Sequence, residues 1–332
     1  NLYDREKVDA VVGYVSSGDC LAVAPVAEEM KRFLILYDCG TPRVFEERSY
    51  EYVFRTAAHA TMDNVALGRY LKAQGVDVKT VNYINQDYAW GHDSLRDFNA
   101  TMTQLYPNAT TGQDLRPKFG AGQYGTEISA LMSKPATVTH SSLWGGDLQA
   151  LMLQSAPRGL MKRTQMVLSA GDHVLPGLGK KMPDGVILGA RGAYGLMSPD
   201  TPLNRWWFSN YEKRYDVYPV QAPYRMVQAF MGLKLAVERA MQANGGKKPT
   251  PEQLAAALKG SEWESPAGMI TMANANGHQA IQDTAISKTK FSTKTNRVEL
   301  VDIVRFKARC VNPPADMSSE EWIKSGFKGA QC

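Results

Sequence analysis

The chain has 332 residues, 44% of them hydrophobic and 21% charged, and this length suits two globular domains of about 150 residues each. Its 38 basic and 33 acidic residues give a net charge of +5 without a basic cluster, which argues against nucleic acid as a partner. No apolar run reaches the roughly 20 residues that cross a bilayer, and no basic and apolar leader stands at Asn1, so we expect the given chain to be soluble.

The first predicted element is a buried strand that runs directly into a helix. In "DAVVGYVSSGDCLAVAPVAEEM", the apolar run Ala10–Val15 lacks helical periodicity and favours a strand buried on both faces. Ser16, Ser17 and Asp19 are good N-cap residues for a helix over Leu21–Met30. Either Ser17 only caps this helix, or the hydroxyls and free amides at the strand end hold an anion.

The rest of the chain alternates strands with helices. We predict a strand at Phe33–Tyr37, a helix at Val65–Ala73, a strand over "VKTVNYIN", a helix over "AWGHDSLRDFNATMTQLY", a strand over "ATVTHSSLW" and a helix over "GDLQALMLQSA". The stretch "GVILGARGA" returns the chain between two such units, and helices at Asn204–Tyr215 and Tyr224–Gln242 and a hairpin ending in "RVELVDIVRF" follow. This order predicts an α/β fold of parallel sheets flanked by helices.

The predicted strands end in similar loops. These are "VSSG" at Val15, "DCGTP" at Asp38, "NQDYAWG" at Asn85, "HSSLWGG" at His140 and "SAGDH" at Ser169. Ligands bind open parallel sheets at the carboxyl ends of the strands. Five successive loops of hydroxyl residues, glycines and aromatic residues therefore predict a ligand cleft.

The four cysteines have no spacing that suits a metal, so we expect no metal site. Cys20 and Cys39 each follow a predicted strand and would lie at one sheet edge, which permits a disulfide, and Cys310 and Cys332 permit a second. The sequence alone leaves open the alternative of four reduced cysteines in a cytosolic protein.

The motifs of common enzymes are missing from the sequence. It has no GxSxG, HExxH or Walker loop, and "GAGQYG" at Gly120 fits GxGxxG but follows the polar run "TGQDLRPKF" in place of a strand. We interpret that match as chance. Asp172 and His173 could form a catalytic dyad, but a solvated loop pair is favoured. We therefore expect a protein that is not an enzyme and has no cofactor.

A longer pattern resembles a known family. The matching stretches, in order, are "VDAVVGYVSSGDCLAVAPVAEEM", "YVFRTAAHATMDNVALGRYL", "YINQDYAWGHDSLRDF", "FGAGQYGTEISALMSKPATVTHSSLWGGDLQALMLQSA", "AFMGLKLAVERAM" and "ESPAGMITMANANGHQAIQDTAI". They resemble the periplasmic solute-binding proteins of ABC transporters, in the Leu/Ile/Val-binding (type I) class. The resemblance implies a two-lobed α/β clamp with hinge crossovers, and on this basis we expect the strand and helix with which the family begins to be missing from the given chain.

The resemblance also implies how the lobes divide the chain. Residues 1–57 and 190–275 would form lobe 1, and residues 58–189 and 276–332 would form lobe 2. In lobe 1, Val15, Ser16 and Ser17 match the loop that holds a carboxylate, and Gly40 and Thr41 match the donors of the next loop.

Further site residues follow from the same resemblance. Trp90 stands where the family often has a tyrosine, Trp144 matches the aromatic residue of lobe 2, and Tyr224 would border the cleft. Ala170 replaces the acid that pairs with the ammonium group in amino-acid binders, although Asp172 could serve in its place.

The implied function is solute binding in the periplasm. We expect a monomer that is exported by a signal sequence upstream of Asn1. It would bind a small carboxylate and deliver it to an ABC permease in the inner membrane. Because Trp90 and Trp144 would form a flat apolar slot, an aromatic acid is favoured. The alternatives are a branched-chain or other amino-acid or amide binder of the same family and a cytoplasmic ligand-sensing regulator of the same fold.

Overall fold

The structure, a computed structural model, describes residues 2–332. Its strands are β1 (Ala10–Gly13), β2 (Phe33–Leu36), β3 (Val53–Arg55), β4 (Thr80–Ile84), β5 (Thr110–Leu115), β6 (Val138–Ser141), β7 (Gln165–Leu168), β8 (Ile187–Leu188), β9 (Glu262–Ser265), β10 (Gly268–Asn274), β11 (Gln279–Ile281), β12 (Thr284–Ser292) and β13 (Arg297–Phe306). Its helices are α1 (Ser17–Glu29), α2 (Arg43–Glu46), α3 (Ala60–Ala73), α4 (Ala89–Leu105), α5 (Gly125–Ser133), α6 (Gly145–Ser155), α7 (Leu175–Leu178), α8 (Pro202–Tyr215), α9 (Gln221–Ala243), α10 (Pro251–Leu258), α11 (Ala308–Val311) and α12 (Ser319–Lys324).

The strands form two sheets. The first has the order β1-β2-β3-β11-β10-β9, and the second has the order β13-β12-β8-β7-β6-β4-β5. Neighbours are parallel from β1 through β11 in the first sheet and from β8 through β5 in the second, while β9, β10, β12 and β13 pair antiparallel. The predicted α/β architecture and the final hairpin are confirmed, and each sheet has an antiparallel edge in addition.

The apolar strands separate two cores in each lobe. In β2, Phe33 and Ile35 pack with α9 and α10, whereas Leu34 and Leu36 face α1. Side chains alternate across a strand, so a strand covered on both faces is apolar throughout. For this reason the apolar run at β2 shows no alternation of apolar and polar residues.

Three connections carry the chain between the sheets, at residues 56–59, 216–220 and 282–283. Tyr194 and Met197 lie in the core of the second sheet, and Trp207 of α8 packs against that core. The strand β11 belongs to the first sheet. These positions favour crossovers near 220 and 282 over the expected ones near 190 and 275, and the division into lobes stays a proposal.

One strand differs from the sequence prediction. The polar run before "GAGQYG" contains β5, an edge strand in which no residue is buried. An edge strand with exposed faces needs no apolar residues, so its composition resembles that of a loop. The glycine motif therefore does follow a strand and precede helix α5, and the expectation that it lacks a preceding strand is wrong.

All four cysteines form disulfides, Cys20 with Cys39 and Cys310 with Cys332. The first ties α1 to the loop after β2, and the second ties the C-terminal residue to α11. The disulfide alternative is thus the one that the structure contains. None of the helices in residues 2–332 is both long and apolar enough to span a membrane.

Candidate ligand-binding cleft

A small cavity lies between the two lobes at the carboxyl ends of the parallel strands. Its volume is about 30 Å³, which leaves room for only a few water molecules. It is lined by Val15, Ser17, Asp38, Gly40, Tyr88, Trp90, Trp144, Ala170, Arg191, Gln221 and Arg225. The lobes are therefore closed over a site that has little free space.

Six of the expected site residues line this cavity, namely Val15, Ser17, Gly40, Trp90, Trp144 and Ala170. The structure places the other four elsewhere. Ser16 is the N-cap residue of α1 and makes no side-chain capping bond. Thr41, Asp172 and Tyr224 are buried behind the cavity wall.

The hydroxyl group of Thr41 is used to join the lobes. Its Oγ1 donates a hydrogen bond of 2.6 Å to Oδ2 of Asp93 on α4, while its amide donates to Oγ of Ser17 at 3.2 Å. Burial raises the pKa of Asp93 above its ordinary value. Thr41 therefore holds Ser17 and bridges to the second lobe, and its hydroxyl does not face the cavity.

Asp172 and Tyr224 serve the packing around the cleft. The Oδ2 of Asp172 accepts a hydrogen bond of 2.8 Å from the amide of Gln221, at the start of α9. Burial raises the pKa of Asp172 to about 7. Tyr224 donates to Oδ1 of Asn204 at 2.6 Å inside the core.

His173 is also part of the structure around the cleft. Its Nε2 accepts a hydrogen bond of 2.8 Å from the amide of Gly145, the first residue of α6. Burial lowers its pKa to about 4, so the imidazole is neutral near pH 7. The expected solvated pair of Asp172 and His173 is wrong, because Asp172 is buried.

Trp90 forms the apolar floor of the cleft. Its Nε1 donates a hydrogen bond of 2.7 Å to the carbonyl of Ser142, which fixes the ring. The Arg191 guanidinium lies 5.1 Å from the centroid of this ring. Because Trp90 is on α4 and Gly40 lies in the loop after β2, the ring meets the first lobe directly.

Trp144 lies in an aromatic group at the mouth of the cleft. Its Nε1 donates to the hydroxyl of Tyr88 at 2.7 Å, and its ring centroid lies 5.6 Å from that of Phe119. Phe119 lies 5.2 Å from Tyr88 and is about half exposed. The two tryptophans share one apolar cluster with Tyr88 and Ala170.

Two arginines that the sequence reading did not single out converge on one carboxylate. Nη1 of Arg191 lies 3.0 Å from Oδ1 of Asp38, and Nη1 of Arg225 binds the same oxygen. Burial and the Arg225 charge lower the pKa of Arg191 to about 10. Burial opposes the charge of Arg225, but Asp38 outweighs it and the pKa of Arg225 is raised.

The backbone at Arg191 is held in a rare conformation. Its φ is 56°, in the left-handed region, and its amide donates to Oδ2 of Asp63. Non-glycine residues take this conformation at a cost, and such residues are concentrated at functional sites. The contact with Asp63 keeps the Arg191 side chain over Trp90.

Some of the cavity residues that were not predicted had a signal in the sequence. Asp38 and Tyr88 stand in the strand-end loops "DCGTP" and "NQDYAWG", and residues of such loops are expected at the ligand edge of the sheet. Arg191 lies in "GARGA" and Arg225 follows Tyr224 in a helix, where no local pattern separates a buried arginine from an exposed one.

The first two glycines of the glycine motif do not offer free amides to a phosphate. The amides of Gly120 and Gly122 donate to the Asp147 carboxylate at 2.8 and 3.2 Å, and Gln86 donates to it at 2.7 Å. An internal carboxylate therefore takes the place that an anion would need. No group of three metal-ligating side chains is found within residues 2–332.

Comparison with known proteins finds a matching family. A family model described as periplasmic binding protein matches residues 1–295. The Leu/Ile/Val-binding protein homolog 6 of Brucella abortus (strain 2308) is 23% identical over 277 residues, which are 82% of this chain and 67% of that protein.

Solved structures share the fold. A solute-binding protein of an ABC transporter from Rhodopseudomonas palustris BisB5, in complex with 3,4-dihydroxybenzoic acid, has a TM-score of 0.79 at 23% identity, with 95% of this chain and 83% of that chain covered. A leucine-binding protein from Thermotoga maritima MSB8 has a TM-score of 0.73 at 21% identity, with 91% and 81% covered.

Proposed function

The chain belongs to the periplasmic binding protein family, and on that premise we propose that it is the extracytoplasmic solute-binding component of an ABC importer. It binds a small carboxylate between its lobes, with an aromatic acid favoured, and performs no chemistry on it. The observation that carries this proposal is the convergence of Arg191 and Arg225 on the single carboxylate of Asp38 beside the ring of Trp90.

The charges at the cavity wall favour an anionic ligand. Two guanidinium groups and one carboxylate line it, and within residues 2–332 the Nε atoms of Arg191 and Arg225 have no hydrogen-bond partner. A buried guanidinium binds a carboxylate through charge-assisted hydrogen bonds. In the described part of the chain, the wall has two guanidinium groups but only one carboxylate, that of Asp38. A ligand carboxylate would give Arg191 a second anionic partner.

The apolar wall favours a flat ring. Trp90, Tyr88 and Trp144 line the same cavity, and Ala170 leaves its wall apolar where an acid would pair with an ammonium group. Similar structures from Rhodopseudomonas palustris are complexes with 3,4-dihydroxybenzoic acid, 4-hydroxybenzoate and benzoate. These complexes support an aromatic acid as the ligand here.

Binding requires the lobes to move. A cavity of about 30 Å³ is too small for a benzoate, and the Arg191 guanidinium lies over Trp90. We infer that the lobes open about the three connections, that the ring replaces the guanidinium over Trp90, and that closure follows. Contacts made to both lobes then favour the closed state.

An amino acid is the second candidate. Asp38 lines the cavity and could pair with an ammonium group, and the similar Thermotoga maritima protein is a leucine-binding protein. Asp38 already pairs with two arginines, however, so an ammonium group would have to displace one of them. This cost places the amino acid behind the aromatic acid.

Calorimetry tests the proposal directly. Purified protein is titrated with 4-hydroxybenzoate, 3,4-dihydroxybenzoate, benzoate, benzyl alcohol and leucine. We expect the aromatic acids to bind. Benzyl alcohol, which lacks the carboxylate, should bind at least tenfold more weakly, and a tenfold difference corresponds to about 1.4 kcal/mol of binding free energy. Tight binding of leucine with no heat from the aromatic acids would decide for the second candidate.

A further inference from the structure

A second cavity, of about 310 Å³, lies between the first lobe and the C-terminal segment that follows α11. Phe45, Arg55 and Gln279 line it from the first lobe, and residues 313–321 line it from the C-terminal side. None of its lining residues lines the ligand cleft. It is therefore a separate site.

A buried positive charge borders this cavity. Arg55 is fully buried, its Nη1 donates to the carbonyls of Cys39 and Thr41 at 2.9 and 2.5 Å, and its Nε donates to Oε1 of Gln279 at 2.5 Å. Within residues 2–332, its Nη2 has no hydrogen-bond partner, and Glu46 and Asp93 act on its charge from a distance without forming an ion pair with it. A buried charge without a directly paired counter-ion is costly.

Two further buried polar atoms at the cavity also have no partner among the described residues. These are Oδ1 of Asn274, whose Nδ2 donates to the carbonyl of Pro313 at 2.9 Å, and Nδ1 of His59. Burial and the Arg55 charge lower the pKa of His59 well below its ordinary value, so its ring is neutral. Buried polar groups are normally hydrogen-bonded, and these three unpaired atoms belong to residues that line one cavity, which points to a bound polar molecule.

We propose that this cavity binds a small monocarboxylate, with the carboxylate paired to Arg55. The exposed acids Glu46, Asp316 and Glu321 stand among its lining residues. They repel a doubly charged anion and attract a positive group at the other end of the ligand. A zwitterion such as glycine, with its carboxylate inward, matches this arrangement better than acetate does.

The proposal is independent of the function of the cleft. Its test therefore includes Arg191→Met, which changes only the cleft, and Ala315→Phe, which puts a ring on an exposed lining residue of the second cavity. Ala73→Phe is the matched control, because residue 73 is exposed and lines neither cavity. Arg55→Gln removes the charge.

The measurement is the thermal unfolding midpoint in glycine or acetate, at an ionic strength held constant with sodium chloride. A ligand that binds only the folded protein raises this midpoint. We expect glycine to raise it by a few degrees, and acetate by less, in the wild type, Arg191→Met and Ala73→Phe. We expect no rise in Ala315→Phe or Arg55→Gln, and Ala315→Phe decides if Arg55→Gln does not fold.

Three outcomes would overturn the proposal. The first is a thermal unfolding midpoint of the wild-type protein that neither glycine nor acetate changes. The second is a rise that persists in Ala315→Phe, which would mean that the probe acts elsewhere. The third is a rise that is lost in Arg191→Met, which would assign glycine to the cleft.

Discussion

Gly40 of the first lobe and Trp90 of the second lie so close together that a Cβ atom on residue 40 would come within 2.2 Å of Cζ3 of the Trp90 ring. The ring is held in place by its hydrogen bond to Ser142, and the Arg191 guanidinium lies against it. The closed form therefore requires glycine at position 40, because no side chain fits between the loop and the ring.

We predict that Gly40→Ala weakens ligand binding by destabilising the closed form. Overpacking a tight contact costs about 1 to 3 kcal/mol, which corresponds to roughly a 5- to 150-fold loss of affinity. Calorimetry with 4-hydroxybenzoate measures this loss. Gly18→Ala is the control, since a Cβ there would lie 3.6 Å from its nearest neighbour, Oγ of Ser16. Equal affinity for the two variants would refute the role of Gly40 in closure.

Arg191→Met should weaken carboxylate binding while it keeps the apolar length of the side chain. A hydrogen bond to a charged group contributes about 1.5 to 3 kcal/mol, so we expect roughly a 10- to 150-fold loss. Arg205→Met, at an exposed arginine paired with Asp200, should leave affinity unchanged. If Arg191 only blocks the closed cavity, its replacement would instead tighten binding.

Asp172→Asn should change how stability depends on pH. Burial raises the pKa of Asp172 from its ordinary 3.8 to about 7, so between these values the folded protein keeps a proton that the unfolded chain releases. The unfolded state then binds fewer protons, and this carboxyl group makes the free energy of unfolding fall as pH rises. The variant lacks this loss, so its stability relative to wild type should increase from about pH 4 to pH 7. Urea unfolding at both ends of this range measures the difference, and parallel pH curves would contradict the assignment.

Removal of the C-terminal disulfide should destabilise the protein. Cys310 and Cys332 are 22 residues apart, and a disulfide that closes a loop of this length contributes about 3 kcal/mol through the unfolded chain. The double variant Cys310→Ser with Cys332→Ser should show this loss in denaturant unfolding. Its unfolding should also be insensitive to a reductant that is too weak to open the Cys20–Cys39 bond. Wild-type stability in the variant would show that α12 is held by packing alone.

The architecture was largely predictable because its main signals are local. The apolar run at β2 and the small polar residues at the start of α1 identify a strand and a helix without tertiary information. The edge strand β5 was missed for the opposite reason, since an exposed strand is not required to be apolar. The placement of strand ends and the short separation near the C-terminus permitted the two cysteine pairs, and the structure contains both.

The site was predictable only in part. The strand-end loops predicted a cleft, because parallel topology brings such loops to one edge, and the family resemblance then named Ser17, Gly40 and Trp90, which line the cavity. The same resemblance placed the Thr41 hydroxyl in the site, yet that hydroxyl donates to Asp93. A hydroxyl near a cleft can turn either way, and its nearest acceptor decides.

Strand periodicity and loop composition act over a few residues, so the sheets of mainly parallel strands, the family pattern and a candidate ligand edge could be predicted from local sequence. Which charges meet at that edge depends on the folded chain. Asp38 is 153 residues from Arg191 and 187 residues from Arg225 in the sequence. Their contacts exist only after both lobes have folded and closed. Burial then removes water from these groups, which strengthens their interaction, and two guanidinium groups that share one carboxylate make a candidate anion site.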